Sequence, residues 1–486
     1  MRRAADTDEN ADAVSATMTS RYVNRMPGFR ERRRPTPAGD PSTCLALADS
    51  FVLPLSMAAP SSPATTRSPQ ALRELFSALE SVRPATSVLI GRAGDDDWPP
   101  DAEWATFLEA LPLADVEACE KNGLHWCANV SDSAPTSLKR LCEAVRAASQ
   151  ALGRGLRDGP HSETLPCAHR AWRQSAEKST QVSALLASVA SRLDLSRVRR
   201  VVDVGCGKGH LVARLSSALG VPALGIDVDE ALLATARATY PAVEAFECRD
   251  VVTSGLGCVE GDLVVGLHPC GALGETIVRA VGEHGGCALL MVPCCWHKQG
   301  SAACVREPLS ACAQASGLRL PLAALKKASM ALDATASVGT RRARHELREL
   351  LRARGVDEAE LAARREMDGI HPKKARRGVA CLAAEALRVR GLAQPEPSED
   401  ELRAASAAAA APFERVRRLS LLEPTLGELI ELTALLDRAL ALQEHGMRTS
   451  VFSVFSAHAS DRNLCVVCEP EPASDKTAVG LGDDGG

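Results

Sequence analysis

The chain has 486 residues, enough for about three domains on the usual length prior, and no apolar run approaches the length of a membrane span. Its formal net charge of −4 argues neither for nor against a nucleic-acid partner. The 17 cysteines are odd in number and scattered, which excludes a regular disulfide framework and predicts a reducing intracellular compartment, cytoplasmic or nuclear, with organellar import left open.

The N-terminal third predicts a tail followed by a helical domain. Residues 1–66 are rich in proline, serine and arginine without sustained periodicity, which is typical of a disordered tail. Ser68 can cap a helix whose first turn begins at Pro69. Further apolar periodicity predicts helices at 101–111 and 137–152. We therefore assign residues 67–165 to a helical domain, followed by a long helix at about 172–194.

Residues 170–298 alternate short apolar runs with amphipathic segments. The pattern predicts strands at 200–204, 222–226, 243–247, 262–267 and 286–292, with helices at 209–219, 229–239 and 271–283 between them. Such alternation indicates an α/β fold with a parallel, doubly wound sheet, in which ligands bind beyond the carboxyl ends of the strands.

The turn after the first predicted strand is the most informative stretch, Asp203-Val-Gly-Cys-Gly-Lys-Gly209. Glycines 205, 207 and 209 allow the main chain to turn tightly and approach a ligand, with Cys206 between them. The spacing differs from the G-x-G-x-x-G of dinucleotide loops, which disfavours a nicotinamide oxidoreductase. Asp203 would repel phosphate but accept hydrogen bonds from an ammonium group, so the loop predicts S-adenosylmethionine as the cofactor.

Two more acids follow apolar runs in the same way. Asp227 lies 24 residues beyond Asp203 and can bind both hydroxyls of a ribose, and Asp250 could face the adenine amino group. Leu267, at the end of the fourth predicted strand, completes the predicted cofactor contacts. The alternative is that these acids only cap turns.

Two strand-end turns carry residues suited to catalysis. The candidates are His268, Cys270, Cys294, Cys295 and His297. Methyl transfer is an in-line displacement in which the protein positions the nucleophile and can remove a proton from it; His268 is the first candidate base and His297 the second. Zinc favours this ligand set, but the ligand spacing is unusual, so no metal is predicted, and the cysteines could equally be small buried hydrophobes.

These motifs resemble the methyltransferase-like protein twenty-five family, which includes a member named after ribosomal RNA adenine dimethylases. The likeness rests on 203–209, Leu224-Gly-Ile-Asp227, 265–271, 292–298, 435–444 and 460–464. A more distant likeness is to eukaryotic transfer RNA methyltransferases that act on a ribose hydroxyl. The resemblance implies a class I methyltransferase with a seven-stranded sheet. Residues 175–181 depart from the basic pattern that the family has before its first strand, which leaves open any cofactor or substrate contact from that segment. The sequence also lacks the Asp/Asn-Pro-Pro-Tyr turn with which base-amino methyltransferases hold an exocyclic amine, which weakens the adenine dimethylase interpretation.

Residues 299–415 predict a basic helical insertion that ends in a low-complexity linker at 395–412. Between 337 and 391 there are 14 arginines and lysines against 8 acids, which fits either a phosphate-tracking surface or a solvated helix with internal ion pairs.

Residues 416–470 predict a helix at 425–445 and a closing hairpin of strands at 450–455 and 463–468, in which Cys465 and Cys468 face opposite sides. Residues 471–486 form a second tail.

The sequence thus predicts an S-adenosylmethionine-dependent methyltransferase whose partner is RNA, with neither DNA nor a membrane expected and the oligomeric state open. A protein methyltransferase and a non-catalytic cofactor-binding scaffold remain alternatives. Intact glycines 205, 207 and 209 argue against loss of cofactor binding but not against loss of turnover.

Overall fold

A computed structural model describes residues 69–93, 95, 98–154, 176–299, 305–330, 335–363, 365–456 and 460–471. The predicted N-terminal tail at 1–66 and most of the predicted C-terminal tail at 471–486 lie outside the described residues, as do residues 155–165 of the predicted helical domain. Within the part of the chain that the structure describes, no helix is long and apolar enough to cross a membrane.

The helices of the first half begin with α1, which starts at Pro69 as predicted. They are α1 Pro69–Glu80, α2 Thr86–Ile90, α3 Ala102–Glu109, α4 Leu113–Asn122, α5 Ala128–Ser133, α6 Thr136–Ala151, α7 Ala176–Arg192, α8 His210–Leu219, α9 Glu230–Thr239, α10 Val251–Ser254 and α11 Ala272–His284. The later helices are α12 Ala311–Ala315, α13 Leu322–Ala328, α14 Thr335–Ala353, α15 Glu358–Ala362, α16 Val379–Val389, α17 Glu399–Leu419 and α18 Leu422–Glu444. Short 3-10 helices lie at Leu124–Trp126, Leu195–Arg197, Arg365–Met367 and Pro372–Arg377.

The described strands form one seven-stranded sheet and one two-stranded sheet. They are β1 Arg200–Val204, β2 Ala223–Asp227, β3 Ala245–Cys248, β4 Asp262–Leu267, β5 Ala288–Val292, β6 Val305–Arg306, β7 Leu320–Pro321, β8 Met447–Ser453 and β9 Leu464–Pro470. The large sheet has the order β3-β2-β1-β4-β5-β9-β8. Its first five strands are parallel, whereas β9 is antiparallel to both neighbours. The predicted parallel sheet and its closing hairpin are therefore confirmed.

The topology fixes where functional residues can lie. Strand order reverses between β1 and β4, and there the loops after the two strands diverge to leave a crevice at their carboxyl ends. The buried runs of β1 and β4 explain why both strands are central: their side chains pack on both faces of the sheet. Cys465 and Cys468 of β9 lie in different hydrophobic clusters on the two faces, as their spacing predicts.

Helix α18 joins the N-terminal helices to the sheet. All its residues from Pro424 to Leu442 are buried, and its apolar side chains share one core cluster with α1, α6 and the sheet. The acids on this helix are paired: Glu428 accepts hydrogen bonds from His125 at 2.7 Å and Arg154 at 3.1 Å, and a shorter one from Ser149. Although burial acts to raise the pKa of Glu428, these neighbours hold it far below its usual range.

The stretch predicted as a low-complexity linker differs from expectation. Residues 395–412 mostly belong to α17, which begins after a capping box formed by Ser398 and Glu401. Alanine has the highest helix propensity, so an alanine-rich stretch behind a strong N-terminal cap is a helix rather than a linker. Its Ala405 packs in a small core of the insertion with leucines of α14 and α16.

Candidate active site

The glycine turn connects β1 to α8 and has the conformation that the sequence predicted. Gly205, Gly207 and Gly209 have φ angles of 78°, 54° and 75°, in the left-handed region that favours glycine. Gly205 and Cys206 donate their backbone N–H groups to Ile226 of β2 at 2.8 and 3.0 Å. A Cβ added at Gly207 would meet no atom within 4 Å, because it would project into open space, whereas one at Gly209 would come within 2.8 Å of a neighbouring ring.

That open space is a cavity of about 290 Å³ at the carboxyl end of β1. The glycine turn forms one wall, and the other lining residues are Lys178, Asp203, His210, Leu211, Leu232 and Leu267. The predicted cofactor residues 203, 205, 206, 207 and 267 therefore meet in one place. Gly209 packs behind the turn, and Asp227 and Asp250 lie outside the cavity lining.

Asp203 carries the strongest signal in the cavity. Its side chain is 2% exposed, and among the described residues its Oδ2 atom has no hydrogen-bond partner. Burial raises the pKa of this carboxyl to about 7, against the opposing attraction of Lys178. A buried carboxylate oxygen that lacks a partner carries a desolvation cost of about 1–3 kcal/mol, which a cationic ligand group would offset. The residues present therefore fit the ammonium group of S-adenosylmethionine.

The other two acids hold turns along the same sheet edge. Asp227 accepts hydrogen bonds from the N–H groups of Gly207 at 2.7 Å and Asp229 at 3.0 Å, so it braces the glycine turn. Asp250 accepts one from Val252 at 3.0 Å and caps α10. Turn capping is thus a real role of both, and each carboxylate keeps lone pairs for a second partner.

His268 adopts a strained conformation directly after β4. Its φ of 70° is the one positive value at a non-glycine residue across the described ranges. Its Nε2 lies 3.2 Å from Gln181 Oε1, which makes Nε2 the protonated nitrogen and leaves Nδ1 with a lone pair. No described group bonds this buried Nδ1. Burial, with Lys178 and Arg462, lowers the pKa of His268 to about 4, so the ring is neutral and only weakly basic.

The turns after β4 and β5 bring three cysteines together. The Sγ atoms of Cys270, Cys294 and Cys295 all lie within 4.8 Å of one another, although the spacing along the chain gave no such indication. A hydrogen bond from Cys294, joined by one from Cys295, lowers the pKa of Cys270 to about 5, whereas the pKa of Cys294 is raised by the same contact. His297 stands apart from the cluster, its Nδ1 3.0 Å from Ser329 Oγ.

Sequence reasoning missed three residues near the cavity. Lys178 lines the cavity and acts electrostatically on Asp203, His210, His268 and Cys294. Gln181 orients His268, and His210 is bonded to Tyr240 at the cavity wall. Lys178 and Gln181 lie in the 175–181 segment that departs from the family pattern, so that departure was the signal available.

Parts of this chain are similar to known methyltransferases. Residues 177–300 match a family model described as a methyltransferase domain. Similar solved structures include the sugar N-methyltransferase KedS8 from Streptoalloteichus sp. (24% identity, 26% of this chain and 54% of that chain, TM-score 0.20) and coclaurine N-methyltransferase (12% identity, 46% and 63%, TM-score 0.22). A third is the methyltransferase SibL (18% identity, 40% and 51%, TM-score 0.19). The chain thus spans between about half and two thirds of the length of these structures. No curated protein matches significantly.

The matched segment runs from α7 through the turn after β5 and so contains every residue that lines the cavity. Its strands and flanking helices have the class I, Rossmann-like arrangement predicted from the sequence. Residues 177–300 thus resemble a methyltransferase domain and have the sheet order of the class I fold, which supports S-adenosylmethionine as the cofactor.

Proposed function

We propose that this protein transfers a methyl group from S-adenosylmethionine to a nucleophile that enters at the carboxyl ends of β4 and β5. The observation that carries the proposal is the buried carboxylate of Asp203, which lines a cavity and lacks a partner for Oδ2 in the described structure. The cofactor supplies an electrophilic methyl group on a sulfonium. The protein's part is therefore to bind, orient and exclude water.

Each cofactor residue has a distinct role in this proposal. Asp203 accepts hydrogen bonds from the ammonium end of the ligand, and Gly207 leaves room for it because no Cβ fills the cavity. Asp227 holds the ribose hydroxyls while it also braces the glycine turn. Asp250 faces the adenine, and two exposed apolar side chains lie close to these acids along the chain: Val228 follows Asp227 directly, and Val252 follows Asp250 by two residues.

His268 positions the incoming nucleophile through Nδ1. Nδ1 is an acceptor because Gln181 Oε1 accepts the Nε2–H group, so Nδ1 can accept a hydrogen bond from the nucleophile and orient it towards the methyl group, while the nucleophile's proton is released to water. The Sγ atoms of Cys270, Cys294 and Cys295 lie together where the turns after β4 and β5 meet, and His297 follows Cys295 by two residues. These roles extend the predictions made from the sequence.

The test of His268 compares two variants. Asparagine tolerates the positive φ of this position, whereas alanine does not. A rate lost in His268→Asn therefore reports on catalysis, whereas a rate lost in His268→Ala could also come from a disturbed fold. We expect His268→Asn to lose about 10²-fold in single-turnover rate, because the nucleophile is no longer held in line with the methyl group, with cofactor affinity nearly unchanged. Full activity in that variant would end the proposal for this residue and transfer it to His297.

We further propose that the acceptor is RNA. Support comes from the 3-10 helix Pro372–Arg377, where Lys373, Arg376 and Arg377 are exposed and have no ion pair within the described residues. Most other cations of the insertion are already paired with acids, for example Arg344 with Glu366 at 2.7 Å. The predicted phosphate-tracking surface is therefore narrower than the charge count indicated.

The RNA proposal predicts a specific salt dependence. Replacing Lys373, Arg376 and Arg377 by alanine should flatten the slope of log affinity against log salt by up to about 2, because each lost phosphate contact removes roughly 0.7 for a single strand. A matched control replaces three exposed cations that are already paired with acids, Arg342, Arg352 and Arg388. This variant should change the slope much less. Equal slopes for both variants would refute RNA binding at this surface.

Two other acceptor classes remain outcomes of a direct assay. Transfer of a labelled methyl group from the cofactor into extracted RNA supports the proposal, and transfer into protein instead would identify a protein methyltransferase. Tight cofactor binding without transfer to either would indicate a scaffold. An RNA substrate also accords with the intracellular location predicted from cysteine usage, since RNA is processed in the cytoplasm and nucleus.

A further inference from the structure

A second potential site lies beside the cofactor cavity, where the turns after β4 and β5 meet. The two strands are parallel neighbours, paired up to Leu267 and Val292, so the turns leave the sheet side by side. Cys270 follows three residues after β4, and Cys294 and Cys295 follow two and three residues after β5. Ligands on adjacent strand ends converge whatever their spacing along the chain, which is why motif spacing could not reveal them.

The two turns are held together tightly. Ala272 donates its N–H to the carbonyl of Lys298 at 3.0 Å, and a Cβ added at Gly271 would lie 1.8 Å from that oxygen. Only glycine therefore permits the approach. On the other turn, Trp296 is 1% exposed, and its backbone N–H donates a hydrogen bond to the Cys294 carbonyl at 2.9 Å. The cysteines are thus fixed in place by main-chain contacts and a buried ring rather than by flexible loops.

The sulfur atoms lie close enough together to share one metal ion. All three thiols are free of disulfides, their Sγ atoms lie within 4.8 Å of one another, and those of Cys270 and Cys294 are 3.2 Å apart. In a tetrahedral zinc site each thiolate sulfur lies about 2.3 Å from the metal, so the sulfurs are separated by about 3.8 Å. Both Cys270 and Cys294 currently share one acceptor, the His268 carbonyl, at 3.5 and 3.4 Å.

We propose that Cys270, Cys294 and Cys295 bind a zinc ion through three thiolates and leave a fourth position open. Three protein ligands with one open position are the arrangement of zinc sites that bind water or a substrate, and the thiols release their protons on binding. His297 is not part of the ligand set, because it lies outside the group of ligand atoms within 4.8 Å of one another, and its Nδ1 lies 3.0 Å from Ser329 Oγ. The proposal does not depend on methyl transfer, since zinc content is measured without cofactor or acceptor.

The full chain offers a direct test by metal analysis. Purified without chelator and dialysed against zinc and then metal-free buffer, the wild type should retain about one zinc per chain. Cys295→Ser should lose most of it, whereas Cys381→Ser, a matched control in the insertion, should retain it. Cobalt titration should give a strong near-ultraviolet band from cobalt–thiolate bonds in the wild type and in Cys381→Ser, but not in Cys295→Ser.

A second measurement uses the wild-type protein alone, so it stays informative if Cys295→Ser fails to fold. Zinc should protect Cys270, Cys294 and Cys295 from alkylation by iodoacetamide, mapped by mass spectrometry, while the chelated protein is modified at these positions. Wild-type protein without zinc and without protection would overturn the proposal. A Cys270 to Cys294 disulfide in the zinc-treated protein would overturn it equally, as would retention of zinc at other cysteines alone.

Discussion

Cofactor affinity should depend on pH through Asp203. Burial raises the pKa of this carboxyl to about 7, while Lys178 on α7 and the Val212 N–H on α8 oppose the shift and Asp227 adds to it. A protonated carboxyl cannot balance an ammonium group, so only the ionised fraction binds the cofactor well. That fraction is roughly a tenth at about pH 6 and nine tenths at about pH 8, so affinity should rise about tenfold over this interval.

Calorimetric titrations of S-adenosylmethionine at several pH values measure this slope. Asp203→Asn supplies the control, because any slope that remains belongs to the ligand or to other groups, and its affinity should be weak throughout. Lys178→Met should move the midpoint to higher pH, since loss of the cation favours the protonated carboxyl. An affinity that is flat from about pH 6 to 8 in the wild type, or unchanged by Asp203→Asn, would refute the reasoning.

Three further predictions concern the same elements. Gly207→Ala and Gly220→Ala both place alanine at positive φ in open space, so both should cost about 1 kcal/mol of stability, but only the first should abolish cofactor binding in a thermal-shift assay. Asp227→Ala should weaken the cofactor tenfold or more by calorimetry, from a hydrogen bond worth about 1.5–3 kcal/mol, whereas Asp229→Ala, which removes only a helix cap, should leave affinity unchanged. Glu428→Gln should lower the free energy of unfolding in urea by about 1.5–3 kcal/mol, because the buried Arg154 guanidinium loses one of its two carboxylate partners and keeps only Glu431. Since the pKa of Glu428 is depressed, its contribution is present above the unfolded value of about 4.3 and is lost as the pH falls below it, so the two proteins should converge in acid.

Local patterns were enough to predict the sheet, because its central strands are short apolar runs followed by turn signals. The glycine turn was equally readable, since glycines 205, 207 and 209 have no other common reason to recur before a helix. Residues 395–412 were misjudged because low complexity was given more weight than the helix propensity of alanine and the Ser398 cap. Here the propensity of each residue was the better guide.

The features that sequence could not predict depend on contacts between distant segments. Lys178 reaches Asp203 from a helix that precedes the first strand, and no spacing rule connects the two. The cysteine cluster needs β4 and β5 to be neighbours, and Cys270 is separated from Cys294 by all of α11. His268 was chosen for the basicity of a free imidazole, whereas burial lowers its pKa to about 4. Side-chain identity was predictable there, but its environment was not.

The central claim is that the cavity at the end of β1 binds S-adenosylmethionine, and direct titration of the full chain tests it most simply. We predict saturable heat and a raised melting temperature with S-adenosylmethionine or S-adenosylhomocysteine, at one ligand per chain, and neither effect with reduced nicotinamide adenine dinucleotide. Saturable binding of the nicotinamide cofactor, or wild-type protein that shows neither heat nor a thermal shift with both adenosyl ligands, would contradict the account.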